Sequence, residues 1–358
     1  MNNITLFIGG LSGGGAERVI TNIANYLFSK GYNVTLLTMA DDEPSYPVSS
    51  GVQRVSLLRS PERKGFLLNS FKRFRRLFRY VKSENVDAYI VMLPATILLL
   101  LLLKPFFKAP VIISERSNPR YYGFLTKLLL RRMANRANCC VCQTPDIATW
   151  YTSVMPANKV CVIPNAINTE IIRPLFEGER DLVIVTVGRL IEVKNQALLI
   201  RAFAQIHDQF SQYKLVIYGE GELREKLISL VNDNNLNDCV LLPGYSLDLA
   251  DKIRSASLFV LSSNYEGMPN ALIEAMALGL PCVSTDCEGG GASFLIENGR
   301  NGILVPRGDA SALSEAMLHM LTDKNFAKQC GNEAYKIGDR LSPDIIYGQW
   351  EKTILTVS

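Results

Sequence analysis

The sequence predicts an α/β protein made of two doubly wound domains, and three observations lead to that prediction. At 358 residues the chain is longer than one typical hydrophobic core requires. Short apolar runs rich in β-branched residues alternate with amphipathic segments along both halves. The alternation pauses once, at residues 163–168, where turn residues replace it. Each half is therefore expected to form a parallel sheet with helices on both faces.

The predicted elements follow the chain in order. In the first half the apolar runs predict strands at residues 4–8, 33–38, 87–91, 111–114 and 139–142. In the second half they predict strands at residues 182–187, 214–218, 240–242, 258–261 and 282–284. The amphipathic segments predict helices that include residues 16–28, 195–210, 222–232 and 343–357, and one from the 120s to 135.

These elements divide the chain into two Rossmann-like domains, residues 1–168 and 169–342. A last helix in residues 343–358 is expected to pack back towards the first domain. Two such domains facing each other across a cleft would bind ligand beyond the carboxyl ends of their strands.

Composition describes a globular, intracellular protein with an uneven charge. Hydrophobic residues make up 48% of the chain and charged residues 20%, which argues against disorder. The N-terminus has no cationic flank and too short an apolar run for a signal peptide. The eight cysteines form no pair of C-x-x-C motifs, so we expect reduced, buried thiols in the cytoplasm.

Charge separates the two halves. Residues 1–170 hold 21 Lys and Arg against 10 Asp and Glu, whereas the remainder holds 17 against 24. The first half is therefore expected to face something anionic.

A glycine-rich loop follows the first strand and opens a helix, in the run Gly9-Gly10-Leu11-Ser12-Gly13-Gly14-Gly15. Glycines let a backbone approach a ligand, and a helix start offers N–H groups to an anion. Gly14 and Gly15 are therefore candidate donor-binding residues. No frame gives G-x-G-x-x-G, which disfavours a dinucleotide site, and a tight turn without ligand is the alternative.

Two cations follow the first strand of the second half. Arg189 and Lys194 would lie at the carboxyl end of that strand, where they could neutralise a diphosphate. For Lys194 alone, the alternative is the first residue of a solvated helix face.

Two glutamates eight positions apart flank a helix start in the stretch NYEGMPNALIEAMALGLP, residues 264–281. Pro269 predicts the start of a helix over residues 271–278, and Gly279 predicts its end. Three first-turn N–H groups would be free to bind phosphate, those of Asn270, Ala271 and Leu272. Glu266 could reach sugar hydroxyls, and Glu274 could accept hydrogen bonds from a ribose. A glutamate placed to complement the helix dipole is the alternative for Glu274.

Together these motifs resemble the GT-B glycosyltransferases of family four (GT4), of the type that makes bacterial surface glycans and lipid-linked oligosaccharides. The resemblance covers nearly the whole chain and also includes Tyr218-Gly219-Glu220-Gly221 and Asn301-Gly302-Ile303-Leu304-Val305. It implies a GT-B fold with an acceptor-binding first domain and a donor-binding second domain. It further implies diphosphate binding by Arg189 and Lys194, ribose binding by Glu274 and sugar contact by Glu266. Gly219 and residues 240–244 would line the base.

Two positions depart from the family pattern. Arg116 follows Ser114-Glu115 where many members carry a histidine, so it could supply a fixed positive charge to the reaction. Phe294 stands where related loops often place an acidic residue.

The expected mechanism uses neither a metal nor a cofactor. The sequence contains no D-x-D motif, the usual carboxylate clamp for a metal-bound diphosphate. Charge on the leaving group would fall on Arg189, Lys194 and the helix start, and the expected catalytic set is Arg189, Lys194, Glu266 and Arg116. The resemblance implies retention of anomeric configuration through attack on the face from which the leaving group departs.

A basic amphipathic segment spans residues 63–83. Its apolar stripe is Leu67, Phe71, Phe74, Phe78 and Val81, and the cations Lys72, Arg75, Arg76, Arg79 and Lys82 lie on an adjoining face. Such a helix could rest on an anionic membrane or hold the diphosphate of a lipid-linked saccharide. It resembles the cationic helix of N-acetylgalactosamine transferases that act on polyprenyl-pyrophosphate acceptors. A core helix with a solvated basic face is the alternative, and no nucleic-acid motif appears.

Residues 95–103 are strongly apolar but too few to span a bilayer. They predict a buried crossover helix or, with residues 105–108, a shallow membrane contact.

The expected function is transfer of a sugar from UDP-GalNAc, UDP-GlcNAc or another UDP-hexose to a lipid-pyrophosphate-linked saccharide. The protein would work in the cytoplasm, peripherally on the inner face of the plasma membrane, in bacterial surface-glycan synthesis. A nucleotide-sugar epimerase and a non-catalytic sugar-nucleotide or membrane-binding module are the alternatives.

Overall fold

A computed structural model of the protein describes residues 2–59, 65–246 and 248–357. The chain forms two compact units. The first unit comprises Met1–Ala166 together with Asp344–Ser358, and the second comprises Ile167–Pro343.

The first unit is built on a seven-stranded parallel sheet. Its strands lie in the order β3-β2-β1-β4-β5-β6-β7, so the chain reverses direction across the sheet after β3. The strands are β1 (Asn3–Ile8), β2 (Asn33–Thr38), β3 (Gln53–Ser56), β4 (Ala88–Met92), β5 (Val111–Glu115), β6 (Cys139–Cys142) and β7 (Val160–Val162).

Helices cover this sheet. They are α1 (Gly15–Ser29), α2 (Phe66–Ser83), α3 (Pro94–Leu103), α4 (Phe124–Met133), α5 (Pro145–Thr152) and, from the end of the chain, α14 (Pro343–Val357). One hydrophobic cluster joins α2, α3, α4 and α5 to alternate residues of the strands, such as Tyr89, Val91, Val111 and Ile113. That alternation places these four helices on one face of the sheet.

The second unit is built on a six-stranded parallel sheet of order β10-β9-β8-β11-β12-β13. Its strands are β8 (Asp181–Val187), β9 (Lys214–Tyr218), β10 (Val240–Gly244), β11 (Ala256–Leu261), β12 (Cys282–Asp286) and β13 (Ile303–Pro306). Its helices are α6 (Gln196–Ile206), α7 (Arg224–Asp233), α8 (Leu249–Ile253), α9 (Asn270–Ala277), α10 (Gly291–Leu295), α11 (Ala310–Thr322), α12 (Lys324–Tyr335) and α13 (Ile337–Arg340).

The predicted fold class is confirmed: both units are doubly wound, Rossmann-like parallel sheets. All ten predicted strands are present, and the sequence missed β3, β7 and β13. Each missed strand lies at the edge of its sheet, has three or four residues and is at most partly buried over most of its length. A half-exposed edge strand lacks the continuous apolar run by which central parallel strands are recognised.

The C-terminal helix α14 packs within the first unit. Its Trp350 is almost fully buried, and the Tyr347 ring lies 5.5 Å from that of Tyr26 on α1. Glu351 accepts hydrogen bonds from the hydroxyls of Tyr26 and Tyr32, at 3.4 and 3.0 Å. From Asp344 onwards, α14 therefore belongs to the first unit.

The apolar segment predicted at residues 95–103 forms α3, half of whose residues are buried. Leu102 is half exposed, however, and so is Phe106 just beyond the helix. Within residues 2–59, 65–246 and 248–357, no helix combines the length and apolar character needed to cross a bilayer.

Candidate active site

The loop after β8 carries the two predicted diphosphate-binding cations. Asn195 ends this loop in a left-handed conformation, and its side chain accepts a hydrogen bond from the Leu198 N–H to cap α6. The Arg189 carbonyl accepts from the Gln196 amide at 2.9 Å, which fixes the loop against the same helix. The Asn195 cap and the Gln196 side-chain amide together hold the backbone of the Arg189–Lys194 loop at the carboxyl edge of the sheet.

A second loop, after β11, is hydrogen-bonded to the first. β8 and β11 are neighbours in the sheet, so their carboxyl ends lie side by side. The Asn264 N–H donates to the Val193 carbonyl at 2.8 Å, and the Asn195 side chain donates to that of Asn264 at 3.0 Å. Ser262 Oγ donates to the Lys194 carbonyl at 3.2 Å. The two loops therefore form one platform.

Lys194 and Glu266 meet on this platform. Lys194 Nζ lies 2.5 Å from Glu266 Oε1, and both side chains are largely buried. The hydroxyl of Ser263, which is fully buried, donates to the same Oε1 at 2.7 Å. A partly desolvated, hydrogen-bonded ion pair of this kind is held in one geometry.

The Arg189 side chain differs from that of Lys194 in its exposure and its contacts. Its guanidinium is exposed and makes no hydrogen bond or ion pair with any residue that the structure describes. Close beside it, an added Cβ on Gly219, which has a φ of +137°, would lie 2.0 Å from the Gly188 carbonyl oxygen. Only glycine at this position lets the loop after β9 approach the Arg189 loop so closely.

The predicted helix start is present, one residue earlier than expected, as α9. The Leu272 N–H already donates to the Pro269 carbonyl at 3.0 Å, because the first turn is tightened. The prediction that Leu272 offers a free N–H group is therefore wrong. Glu274 is half-buried and lies just beyond the first turn of α9, which itself contains no acidic residue.

A third loop supports Glu266 from behind. The Glu266 N–H donates to the Glu288 carbonyl at 2.9 Å, and Tyr265 and Glu288 form a parallel bridge. Gly289 packs directly on the Glu266 carbonyl, where an added Cβ would lie 2.2 Å from the oxygen. Arg307, which follows β13, holds this loop through an ion pair with Glu288 and a 3.4 Å hydrogen bond to the Asn264 carbonyl.

The Phe294 position also finds a structural explanation. The Arg340 guanidinium lies 4.8 Å from the centre of the Phe294 ring and donates to the Phe294 carbonyl at 2.9 Å. An aromatic ring at this position therefore ties α10 to α13.

In the first unit, the predicted glycine loop joins β1 to α1. Gly14 is the N-cap of α1 and Gly15 its first residue. The Glu17 carboxylate lies against Gly14, where an added Cβ would be 2.2 Å from Glu17 Oε2. The negative charge of Glu17 thus already complements the start of α1.

Arg116 follows β5 in the same unit, beside a buried carboxylate. Glu115 accepts from the hydroxyls of Tyr122 and Tyr151, at 2.6 and 2.7 Å, and from the backbone N–H groups of Arg116 and Ser117. Burial raises the pKa of Glu115, and these four donors oppose that shift. The Glu115 oxygens are therefore occupied by other groups than the Arg116 guanidinium.

The Arg116 guanidinium is held by neutral partners. Its Nη1 donates to Asn165 at 3.1 Å, and it lies 5.6 Å from the centre of the Trp350 ring on α14. Its Nε and Nη2 atoms are buried and have no hydrogen-bond partner within the described part of the chain. Burial lowers the pKa of Arg116 to about 10, with Glu115 opposing. Arg116 therefore keeps its positive charge at neutral pH and retains unused donors.

The predicted basic helix is α2, and its cations differ in availability. Arg75, Arg79 and Lys82 are exposed, whereas Arg76 donates to the Leu57 carbonyl at 3.0 Å and is partly committed to the fold. The predicted apolar stripe is divided, because Val81 is buried while Phe71 and Phe74 are exposed. Arg63, Lys64 and the Leu67 side chain lie outside the described residues.

No group of three or more His, Cys, Asp or Glu side chains in the described ranges is arranged to hold a metal ion.

Comparison with known proteins identifies the family. Residues 13–171 match the family model described as Glycosyltransferase Family 4, and residues 168–337 match Glycosyl transferases group 1. Together the two matches span residues 13–337, which include Gly14 and Gly15, Arg116, α2 and both glutamates of the site. The chain belongs to the family-four glycosyltransferases.

Two relatives match this glycosyltransferase along all or nearly all of its length. It is 28% identical to the Campylobacter jejuni GalNAc-alpha-(1->4)-GalNAc-alpha-(1->3)-diNAcBac-PP-undecaprenol alpha-1,4-N-acetyl-D-galactosaminyltransferase, over 100% of this chain and 99% of the relative. It is 26% identical to the amylovoran biosynthesis glycosyltransferase AmsD of Erwinia amylovora, over 98% and 99%. Both relatives are named as glycosyltransferases and neither as an epimerase.

A solved structure shows the same fold. The enzyme superposes on HepE of Anabaena, crystallised in complex with UDP, with a TM-score of 0.83 at 17% identity over 99% of this chain and 100% of the other. The GT-B fold expected from the sequence is thereby confirmed.

The position of Ser263 generates a first prediction. We expect Ser263→Ala to lower kcat for sugar transfer about ten-fold, because the hydrogen bond to the Glu266 carboxylate contributes about 1.5 kcal/mol. Ser263→Thr, which keeps the hydroxyl, should restore most of the rate. Steady-state kinetics that resolve kcat from the donor KM provide the measurement.

Ser284→Ala is the matched control, since Ser284 is equally buried but donates only to the nearby Thr285 carbonyl. If both alanine variants lose the same activity, Ser263 has only a packing role.

The contact at Gly289 generates a second prediction. Gly289→Ala should lower sugar transfer at least ten-fold, because the new Cβ must push back the Glu266 backbone. Gly308→Ala is the control, since Gly308 also has a positive φ, +77° against +98°, but its Cβ would meet nothing within 4 Å. Both variants should lose about 1 kcal/mol of stability through backbone strain. Equal activity in the two variants, measured below their unfolding temperatures, would refute the coupling to Glu266.

Proposed function

We propose that this enzyme is a retaining, metal-independent glycosyltransferase that moves a sugar from a UDP-sugar to a lipid-pyrophosphate-linked saccharide. The buried Lys194–Glu266 pair beside the unpaired Arg189 carries the proposal, because it brings a sugar-binding carboxylate next to two cations suited to a diphosphate. UDP-GalNAc, UDP-GlcNAc and other UDP-hexoses are the candidate donors.

The second unit is the proposed donor-binding unit. Arg189 has free donors for the diphosphate, the N–H groups at Asn270 and Ala271 begin α9, and Glu274 would bind the ribose. Gly219 and β10 would line the base. The UDP in the crystals of HepE, whose fold this enzyme shares, supports a uridine donor.

Charge on the departing diphosphate is the main demand of the reaction. The acceptor oxygen bonds to the anomeric carbon on the face from which the diphosphate oxygen leaves, and the acceptor proton passes to that oxygen. Lys194, which is paired with Glu266, would then also donate hydrogen bonds from its ammonium group to the diphosphate. One such contact is worth about 2–4 kcal/mol of barrier, by analogy with oxyanion donors. These cations would perform the role that a metal ion has in other transferases.

Arg116 is proposed to supply a further positive charge to substrate phosphate. Its two unused, buried N–H-bearing atoms and its persistent charge support this role.

The first unit is the proposed acceptor-binding unit. Lys72, Arg75, Arg79 and Lys82 on α2 are the cations offered to a lipid diphosphate, with Arg76 partly occupied. The name of the Campylobacter jejuni relative specifies an undecaprenol diphosphate saccharide, which supports an acceptor of that class. Such an acceptor would place the enzyme on the cytoplasmic face of the plasma membrane, in synthesis of a bacterial surface glycan.

The proposal is tested by a turnover screen. Purified enzyme with EDTA, each common UDP- and GDP-sugar and a short-chain polyprenyl-pyrophosphate saccharide should give, by mass spectrometry, a product heavier by one sugar. NMR of that product should show the anomeric configuration of the donor. Glu274→Ala should weaken UDP binding in calorimetry about ten-fold or more, because a ribose contact is lost.

Other outcomes distinguish the alternatives. An isomerised donor would indicate an epimerase, and product formed only when EDTA is omitted would refute metal independence. Unchanged UDP affinity in Glu274→Ala would refute the ribose assignment.

The charge of Arg116 generates a pH prediction. Because the pKa of Arg116 is about 10, its charge is constant between about pH 6 and about pH 9 and is lost only as pH rises further. Arg116→His replaces it with a group of ordinary pKa about 6.5, which burial lowers. We therefore expect kcat/KM of Arg116→His to fall as pH rises through a value below about 6.5, whereas Arg116→Lys stays charged over that range and keeps the profile of the unaltered enzyme there. Parallel profiles for all three proteins would exclude a required charge at this position.

A further inference from the structure

The outward side of the α2–α3–α4 layer is unusually apolar. α3 packs between α2 and α4 on one face of the first sheet. Of the seventeen large hydrophobic side chains that are exposed within the described residues, nine lie between Leu68 and Leu129. That segment is about a sixth of the chain, so the exposed apolar surface is concentrated on one layer.

The two most exposed of these side chains open α4. Phe124 is 80% exposed and Leu125 65% exposed, immediately after Gly123. Phe71, at 63%, lies in the second turn of α2. All strands of the sheet are parallel and each of these helices leads from one strand to another, so both helices begin towards the carboxyl edge of the sheet. Arg116, which follows β5, lies at that edge too.

Positive charge surrounds the apolar side chains. Residues 65–136 contain fourteen Lys and Arg but only three acidic residues, of which Glu115 is buried. On α4 itself the cations are Lys127, Arg131 and Arg132, and α4 has no acidic residue. Exposed Phe and Leu within a field of cations is complementary to a bilayer surface rich in anionic lipid.

A second copy of the chain fits this surface poorly. Pairing two such layers would bring together two surfaces dense in Lys and Arg, and like charges across an interface cost several kcal/mol. Charge complementarity therefore favours the lipid surface.

We propose that the α2–α3–α4 layer lies on an anionic membrane, with Phe124 and Leu125 inserted among the lipid headgroups. The proposal deepens the proposed function and rests on its membrane-linked acceptor. Inserting the start of α4 orients the carboxyl edge of the first sheet, with Arg116, towards the lipid surface from which an acceptor diphosphate projects.

The test compares two double variants. Phe124→Ser/Leu125→Ser should reduce co-sedimentation with vesicles of phosphatidylcholine and phosphatidylglycerol on the order of ten- to a hundred-fold, because two apolar side chains no longer leave water. Ile345→Ser/Leu355→Ser is the matched control, since it removes two exposed apolar residues of α14, outside the layer. The control should bind these vesicles like the unaltered enzyme, and neither protein should bind pure phosphatidylcholine strongly.

A gain-of-signal variant tests insertion directly. Phe124→Trp adds an exposed indole to a chain whose Trp150 and Trp350 are buried. Its emission should shift to the blue and be quenched by brominated lipid on addition of anionic vesicles. An unshifted emission, or equal vesicle binding by both double variants, would overturn the proposal. Two further results would also overturn the proposal. In the first, sedimentation velocity shows a dimer that Phe124→Ser/Leu125→Ser dissociates and the control variant does not. In the second, Phe124→Ser/Leu125→Ser loses binding to RNA and keeps binding to vesicles.

Activity separates this inference from the proposed function. With a short-chain, water-soluble acceptor the double serine variant should turn over at the unaltered rate, and with a long-chain acceptor in vesicles it should lose about ten-fold. Suppose that the unaltered enzyme binds vesicles but transfers no sugar, with Phe124→Ser/Leu125→Ser still losing vesicle binding. That result would refute the proposed function and leave the membrane-binding surface supported.

Discussion

The contact between Lys194 and Glu266 is the constraint on which the second unit's site depends. A flexible lysine and a glutamate would sample many geometries in water, where such a pair is worth little. Here three loops, after β8, β11 and β12, are hydrogen-bonded to one another, and Ser263 adds a buried donor to the same carboxylate oxygen. The backbone therefore fixes the pair before any ligand arrives, which is the preorganisation that charge stabilisation in a transition state requires.

Much of this arrangement can be predicted from the sequence, because some of its signals are periodic. Central strands appear as continuous apolar runs, and the spacing of Glu266, Pro269 and Glu274 places two carboxylates around a helix start. Supporting residues leave no such signal. Ser263 is one serine among many, and the contact of Gly289 with the Glu266 carbonyl joins residues far apart in the chain. The tightened first turn that occupies the Leu272 N–H is likewise a detail of backbone geometry.

The surroundings of Arg116 combine residues that lie far apart in the chain. The residue follows a central strand, but its guanidinium lies against Trp350, which the chain supplies almost at its C-terminus. Neither residue suggests the other in the sequence. The carboxylate next to Arg116 is satisfied by two tyrosines and two N–H groups, so the guanidinium is not neutralised by a direct ion pair. A permanent cation with unused donors is the result, whereas a histidine there would already have lost its charge at neutral pH.

The uneven charge of the chain is consistent with two different tasks. An acidic second half is compatible with the proposed anionic donor, because the fields of its surface carboxylates are screened beyond about 8–10 Å while Arg189 and Lys194 would act at contact distance. Attraction to a membrane is a sum over many weak, long-range terms of up to about 1 kcal/mol per cation, so it requires cations in number. The first unit has that number on α2 and α4 around exposed Phe and Leu. Binding of a diphosphate would thus need two cations at contact distance, whereas attachment to a membrane would need many cations spread over one face of the unit.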